Sequence, residues 1–214
     1  MSTSVAERRA KSPLDDSAER PAVSLAVPRG VKLLVTPEDF ERLSRVNQDL
    51  RLERTAEGEL VVMAPAAPDG SQRNLSLVAQ LWIWNRQTGL GKAFESSAGF
   101  TLPNTAIRGP DASWMTLDRW EQLSREERLK FSHVCPDFVV ELRSPSNTVK
   151  ELQDKMAEYL AQGVRLGWMI DPIRAKVEIY RPGRPVEVLD RPATLSGEDV
   201  LPGFVLDLKG ILFD

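Results

Sequence analysis

The chain is poor in the residues on which most metalloproteins and many hydrolases rely. Among its 214 residues there is one cysteine, Cys135, and one histidine, His133. A single thiol excludes an internal disulfide, and a single imidazole excludes a multi-histidine metal site. Zinc chemistry and a serine-histidine-aspartate triad are thereby both disfavoured. His133 follows Lys130-Phe131-Ser132, which reads as a connection, so it is expected in a loop, and Cys135 is expected to be a small packing residue. Long apolar runs are missing too, since no stretch approaches the roughly 18 residues that span a bilayer. Met1 to Glu19 lacks the apolar segment of a secretory signal. The expectation is a cytoplasmic protein with no membrane partner. No GxGxxG or GxxxxGK[ST] string occurs, so nucleotide binding has no motif behind it. Catalysis, if present, must come from carboxylates, lysine or arginine, together with a hard metal ion bound through oxygen.

What remains is a globular balance of 42% hydrophobic and 28% charged residues. The net charge of -3 argues against coating nucleic acid by bulk electrostatics, and leaves room for a local basic groove. The length suits one domain with a tail. Residues 1 to 28 mix Ser, Pro, Arg and Glu without periodicity and read as a disordered tail, and residues 29 to 214 as a single domain.

Thr36-Pro37-Glu38-Asp39 offers a cap, a first-turn proline and acidic residues, predicting a helix to about Val46. Leu50 to Arg54 and Leu60 to Met63, joined through Glu57-Gly58, predict a hairpin. From Ser71 to Thr88 the pattern is helical, with Leu75, Val78, Ala79 and Trp82 on one face and Leu77, Leu81 and Trp84 roughly opposite. Such a helix is expected to be buried on two sides. It is either packed centrally or part of a homodimer surface that uses Trp84. Strands are predicted over Ala93 to Leu102, Asp111 to Met115, Asp137 to Arg143, Leu166 to Ile170 and Val177 to Tyr180. Helices are predicted over Leu117 to Lys130 and Val149 to Gln162, and further strands over Val186 to Leu189 and Val205 to Leu208. The order implies an α/β (α+β) fold with a mixed central sheet flanked by helices, an N-terminal helix and hairpin, and extra C-terminal strands.

The strand Pro136-Asp137-Phe138-Val139-Val140-Glu141-Leu142-Arg143 carries acidic and basic residues among apolar ones, which is costly near a core. Alternation puts Phe138, Val140 and Leu142 on one face and Asp137, Val139, Glu141 and Arg143 on the other. Asp137 is about 13 Å along the strand from Glu141, too far to share one site. Asp111, opening a short strand after Pro110, can converge on Glu141. Two carboxylates of this kind make a Mg²⁺ site. Two readings of Lys155 are open, a solvated lysine or one whose methylenes run along the core and deliver an ammonium to a carboxylate pocket. Glu141 likewise is either a metal ligand or the partner of Arg143 or Lys155 in a structural ion pair.

At these residues the chain resembles a known family. Pro110-Asp111 followed by Glu141-Leu142-Arg143 resembles the PD-(D/E)xK nuclease motif. The longer string, Pro136 to Ser146 with Lys155, Tyr159, Gly163, Gly167-Trp168-Met169-Ile170-Asp171-Pro172 and Val177 to Tyr180, resembles the Uma family of restriction-endonuclease-like proteins, over about Thr36 to Leu208. The resemblance implies a restriction-endonuclease-like core and Mg²⁺-dependent hydrolysis of phosphodiester bonds, with Mn²⁺ as an alternative ion. It implies a nucleic-acid partner, DNA rather than RNA, and Asp111 and Glu141 as metal ligands. The third motif position departs from the pattern, because Arg143 stands where lysine is expected. Arginine stays protonated and cannot act as a base, though it can bind phosphate. The family's lysine lies on the following helix, which maps to Lys155, so the implied catalytic set is Asp111, Glu141, Lys155 and Arg143. The alternative is a catalytically silent nuclease fold kept for nucleic-acid or protein binding.

Overall fold

The computed structural model describes Val27, Pro28 and residues 30–213. The expected tail lies outside the described residues except for its last two positions. In chain order the elements are α1 (Pro37–Val46), β1 (Arg51–Arg54), β2 (Leu60–Met63), α2 (Pro68–Thr88), β3 (Gly91–Glu95), β4 (Phe100–Thr101), β5 (Ile107–Arg108), β6 (Ala112–Thr116) and α3 (Leu117–Gln122). They continue with β7 (Phe138–Leu142), α4 (Val149–Ala161), β8 (Leu166–Asp171), β9 (Lys176–Tyr180), β10 (Glu187–Asp190), β11 (Thr194–Ser196) and β12 (Val205–Asp207).

The β-branched and aromatic run of β7 lies inside a six-stranded sheet of order β10-β9-β8-β7-β6-β3. β7 and β8 are parallel and the other pairs antiparallel. A parallel neighbour needs a crossover, and α4 supplies it. Alternation divides the core as expected. Phe138, Val140 and Leu142 join Leu77, Leu81 and Trp84 of α2, with Trp114, Trp168, Phe204 and Leu206. Val139 faces the other side with Met156 and Tyr159 of α4 and Met169 of β8. The sheet is mixed and covered by helices on both faces, a restriction-endonuclease-like architecture.

α4 starts at a reciprocal cap. The Thr148 hydroxyl accepts from the Glu151 backbone N–H at 3.2 Å, and Glu151 accepts from the Thr148 backbone N–H at 2.8 Å. A Cβ added at Gly167 would meet the tip of the Met156 side chain, so glycine there leaves room for that side chain against the sheet. The N-terminal hairpin belongs to a second sheet of order β2-β1-β5-β4.

Three expectations need correction. The strand expected over Ala93 to Leu102 is two strands in different sheets. Glu95 accepts from the Ala98 backbone N–H at 3.1 Å and, through its carboxylate, from the Ser97 N–H at 3.1 Å, and this turn carries the chain from one sheet to the other. The helix expected to Lys130 stops at Gln122, where Leu123 turns extended. The α2 face carrying Leu75, Val78, Ala79 and Trp82 is buried only in part: Val78 packs against the core, while Leu75 and Trp82 are 68% and 49% exposed. Trp84 lies in the interior instead, 5.6 Å from the Trp114 ring and 5.4 Å from that of Phe204, with its indole N–H donating to Pro202 O at 3.2 Å. It is therefore not an intersubunit contact. Among the described residues no helix is long and apolar enough to cross a membrane.

Candidate active site

The register of β6 on β7 pairs Ala112 with Val140, which puts Asp111, one position earlier, opposite Glu141, one position later. Residues directly opposite in an antiparallel pair share a face. The Leu142 backbone N–H donates to Asp111 Oδ2 at 2.9 Å and fixes that carboxylate at the strand end. Glu141 is buried, and its Oε1 accepts from Lys155 Nζ at 2.9 Å and from the Tyr159 hydroxyl at 3.0 Å. Lys155 and Tyr159 are four residues apart on α4, one above the other, so a single helix face serves one carboxylate oxygen. The fold thus brings Asp111, Glu141 and Lys155 together.

A residue that sequence reasoning missed completes the cluster. Lys155 Nζ also donates to Glu53 Oε1 at 2.8 Å. Glu53 Oε1 takes the Gly109 backbone N–H at 3.0 Å, and Oε2 takes Arg108 Nη1 at 3.1 Å. Arg108 in turn gives Nε to Glu158 of α4 at 2.7 Å. The hairpin pattern of Leu50 to Arg54 gave no reason to single out Glu53. β1, however, lies between β2 and β5, and Glu53 and Arg54 are both buried. The available signal was an acidic residue in the middle of a hairpin strand that proves to be internal.

Three carboxylates around one ammonium set the protonation states. Burial pushes Glu141 up to about 7; Lys155 opposes this, while Asp111 and Glu53 add to it. Burial also raises Asp111, against the pull of the Leu142 N–H and of Lys155 and Arg51. For Glu53, burial is outweighed by Lys155 and Arg108, and its carboxyl falls below the usual range. For Lys155, burial is outweighed by Glu141 and Glu53, and its pKa rises. Lys155 is therefore an ammonium at neutral pH, a hydrogen-bond donor and not a base. Burial and the neighbouring Glu141 raise Tyr159 far above its ordinary value, so it remains a phenol that donates.

The donor set is all oxygen, as a hard cation requires. Both donors to Glu141 act on Oε1, and among the described residues none hydrogen-bonds to Oε2. Asp111 has Oδ2 held by Leu142, while Oδ1 faces Arg51 Nη1 at 3.6 Å and the side chain is 20% exposed. Each carboxylate thus has one oxygen held and one available, which fits a Mg²⁺ ion that takes one or two carboxylates and keeps its waters. Glu53, with both oxygens engaged, fits less well. No group of three or more His, Cys, Asp or Glu side chains among the described residues is arranged to hold a metal by itself.

Arg143 stands apart from these contacts. Pairing of β7 with β8 ends at Leu142↔Ile170; just beyond it, Arg143 Nη1 donates to Asp171 Oδ2 at 2.9 Å and Nε to Asn147 O at 3.2 Å. Asp137 is held by the Thr116 N–H and by Arg119 at the other end of β7. His133 lies outside the helices and strands and Cys135 is buried.

The mixed sheet covered by helices on both faces places the chain in the restriction-endonuclease-like fold class. The chain belongs to the Uma2 family, described as "putative restriction endonuclease", whose model matches residues 37–209. Among solved structures it is similar to a protein described as "a putative nuclease belonging to DUF820" from Anabaena variabilis ATCC 29413. The two share 22% identity and a TM-score of 0.70, over 83% of this chain and 97% of that one. The comparison with curated proteins gives no match.

Proposed function

We propose that the protein is a divalent-metal-dependent endonuclease that hydrolyses phosphodiester bonds, DNA in preference to RNA. The observation that carries this reading is the convergence of Asp111 and Glu141, each with an oxygen to spare, beside the buried ammonium of Lys155. Family membership supports it. Asp111 and Glu141 would hold Mg²⁺ or Mn²⁺, which supplies Lewis acidity and a bound water of lowered pKa. Tyr159, with Lys155, keeps Glu141 Oε1 occupied. Lys155 donates to the attacking water or to a non-bridging phosphate oxygen and stabilises the charge that gathers at phosphorus. In hydrolysis the water oxygen bonds to phosphorus and releases a proton to solvent, the bond to the leaving sugar oxygen breaks, and that oxygen takes up a proton from solvent, so that one water is consumed.

Arg143 would grip the phosphate only by turning away from Asp171; where it stands, it braces the loop after β7 through Asn147. Arg51, beside Asp111 and more than one-third exposed, is better placed to meet a phosphate. We take the protein to act in the cytoplasm. A homodimer that used α2 would present Leu75, Trp82 and Ile83 in place of Trp84.

Plasmid and oligonucleotide cleavage with Mg²⁺ or Mn²⁺ tests the reading, comparing wild type with Glu141→Ala. Cleavage by wild type alone is expected. Equal activity in the two proteins would refute the assignment, and binding without cleavage by either would favour a silent nuclease fold.

A further inference from the structure

Lys155 has two carboxylate partners at nearly equal distance, Glu53 at 2.8 Å and Glu141 at 2.9 Å, and the two differ in how firmly they are held. Glu53 belongs to the second sheet and is fixed on every side. The Gly109 N–H and Lys155 occupy Oε1, and Arg108 occupies Oε2. Arg108 is itself anchored to Glu158, whose other oxygen accepts from Asn104 Nδ2 at 2.9 Å. Glu158 is three residues from Lys155 on the same helix. The position of the Glu53 carboxylate relative to α4 is therefore set by a closed ring of contacts that does not pass through Glu141. Glu141, by contrast, has an oxygen without a protein donor among the described residues and faces Asp111 across the strand pair.

We propose that Glu53 is a positioning residue for Lys155, a second seat that retains the ammonium when a divalent cation takes the Glu141 carboxylate. The inference rests on the reading of Asp111 and Glu141 as metal ligands. Its physical basis is competition: the single negative charge of Glu141 cannot compensate an ammonium on Oε1 and a divalent ion on Oε2 equally, and a buried lysine that loses its share of that charge would lack compensation without another anion beside it. Glu53 is that anion. Lys155 can then yield Glu141 to the ion while its nitrogen stays within reach of the site. Without Glu53 the ammonium has only Glu141, so the lysine holds that carboxylate more tightly against the ion.

This leads to an outcome that a metal ligand and a structural residue would not share. Mn²⁺ binding is measured by calorimetry and by electron paramagnetic resonance, without nucleic acid, on wild type, Glu53→Gln, Lys155→Met and the double variant. Circular dichroism confirms folding, and Lys155→Gln replaces Lys155→Met if the latter does not fold. Glu53→Gln is expected to weaken Mn²⁺ binding by about tenfold, the scale of lost outer-contact support at metal sites. In the Lys155→Met background most of that loss should disappear, because no ammonium is left to compete. An equal loss in both backgrounds would mean that Glu53 acts on the ion directly and would overturn the proposal, as would an unchanged affinity in Glu53→Gln. A wild type that binds no Mn²⁺, or a Glu141→Gln variant that binds as well as wild type, would instead overturn the metal-site reading beneath it.

Discussion

Lys155 is neutralised by two carboxylates from different sheets, and that decides what it can do. A protonated lysine donates, so in the proposed hydrolysis its part would be to orient water or steady phosphate charge, and not to abstract a proton. Lys155→Met should cut cleavage by about 100-fold or more, read from initial rates on plasmid with the melting curve checked alongside. Glu141 adds a pH signature in metal-free protein. Its carboxyl is raised from 4.5 to about 7, so between these values the folded state binds more protons than the unfolded state. Its contribution to stability is then full below about pH 4.5 and lost as pH rises through about 7. Urea titrations in chelator should show stability falling across that window for wild type, and a flatter profile for Glu141→Gln. Cys135, pushed up to about 12 by burial, should resist a thiol reagent at pH 8 in the folded protein and react once unfolded. At this scale strand alternation put Glu141 on a charged face on which Asp111 could converge, whereas periodicity left Lys155 open between a solvated and a site lysine, and only the family resemblance pointed to the site. Glu53 stayed hidden because its importance comes from a contact 102 residues away with Lys155. Arg143 was visible as a charge, but its partner Asp171 is set by the β7–β8 register.

Helix α4 is the element on which the site depends, since it supplies Lys155, Glu158 and Tyr159 and also makes the crossover between β7 and β8. Its bounds were readable from the apolar stripe, and the Thr148-to-Glu151 cap was present as a threonine followed three residues later by glutamate. Thr148→Ala should cost about 1 kcal/mol, measurable by chemical denaturation. Gly167→Ala should cost only about 1 kcal/mol, the low end for overpacking, because the flexible end of Met156 can turn aside without moving α4. Trp84→Ala should destabilise the fold by about 3 to 5 kcal/mol and leave the mass by light scattering unchanged, since the ring is enclosed by Trp114 and Phe204. The two-residue strands β4 and β5 were not legible, because so short a segment shows no periodicity and its pairing is supplied by β1 and by Ser132. Of the two apolar stripes of α2, that of Leu77, Leu81 and Trp84 is buried and the other only at its Val78 edge, because periodicity does not reveal how far the sheet will cover each.

On the scale of the whole molecule, the site lies where the two sheets and α4 meet. β6 and β7 of the six-stranded sheet bring Asp111 and Glu141, β1 of the second sheet brings Glu53, and α4 brings the cation that joins them. The restriction-endonuclease-like core was readable from element order and motif spacing. The way the N-terminal hairpin folds over the site was not, since it rests on long-range pairing between β1 and β5. The central claim, that Asp111 and Glu141 are the metal ligands, is tested most directly by anomalous diffraction from crystals soaked in Mn²⁺. The account predicts a peak about 2.1 Å from a carboxylate oxygen of each residue, lost in Glu141→Gln crystals. A peak that ignores these two carboxylates, or one that survives the substitution unchanged, would contradict it.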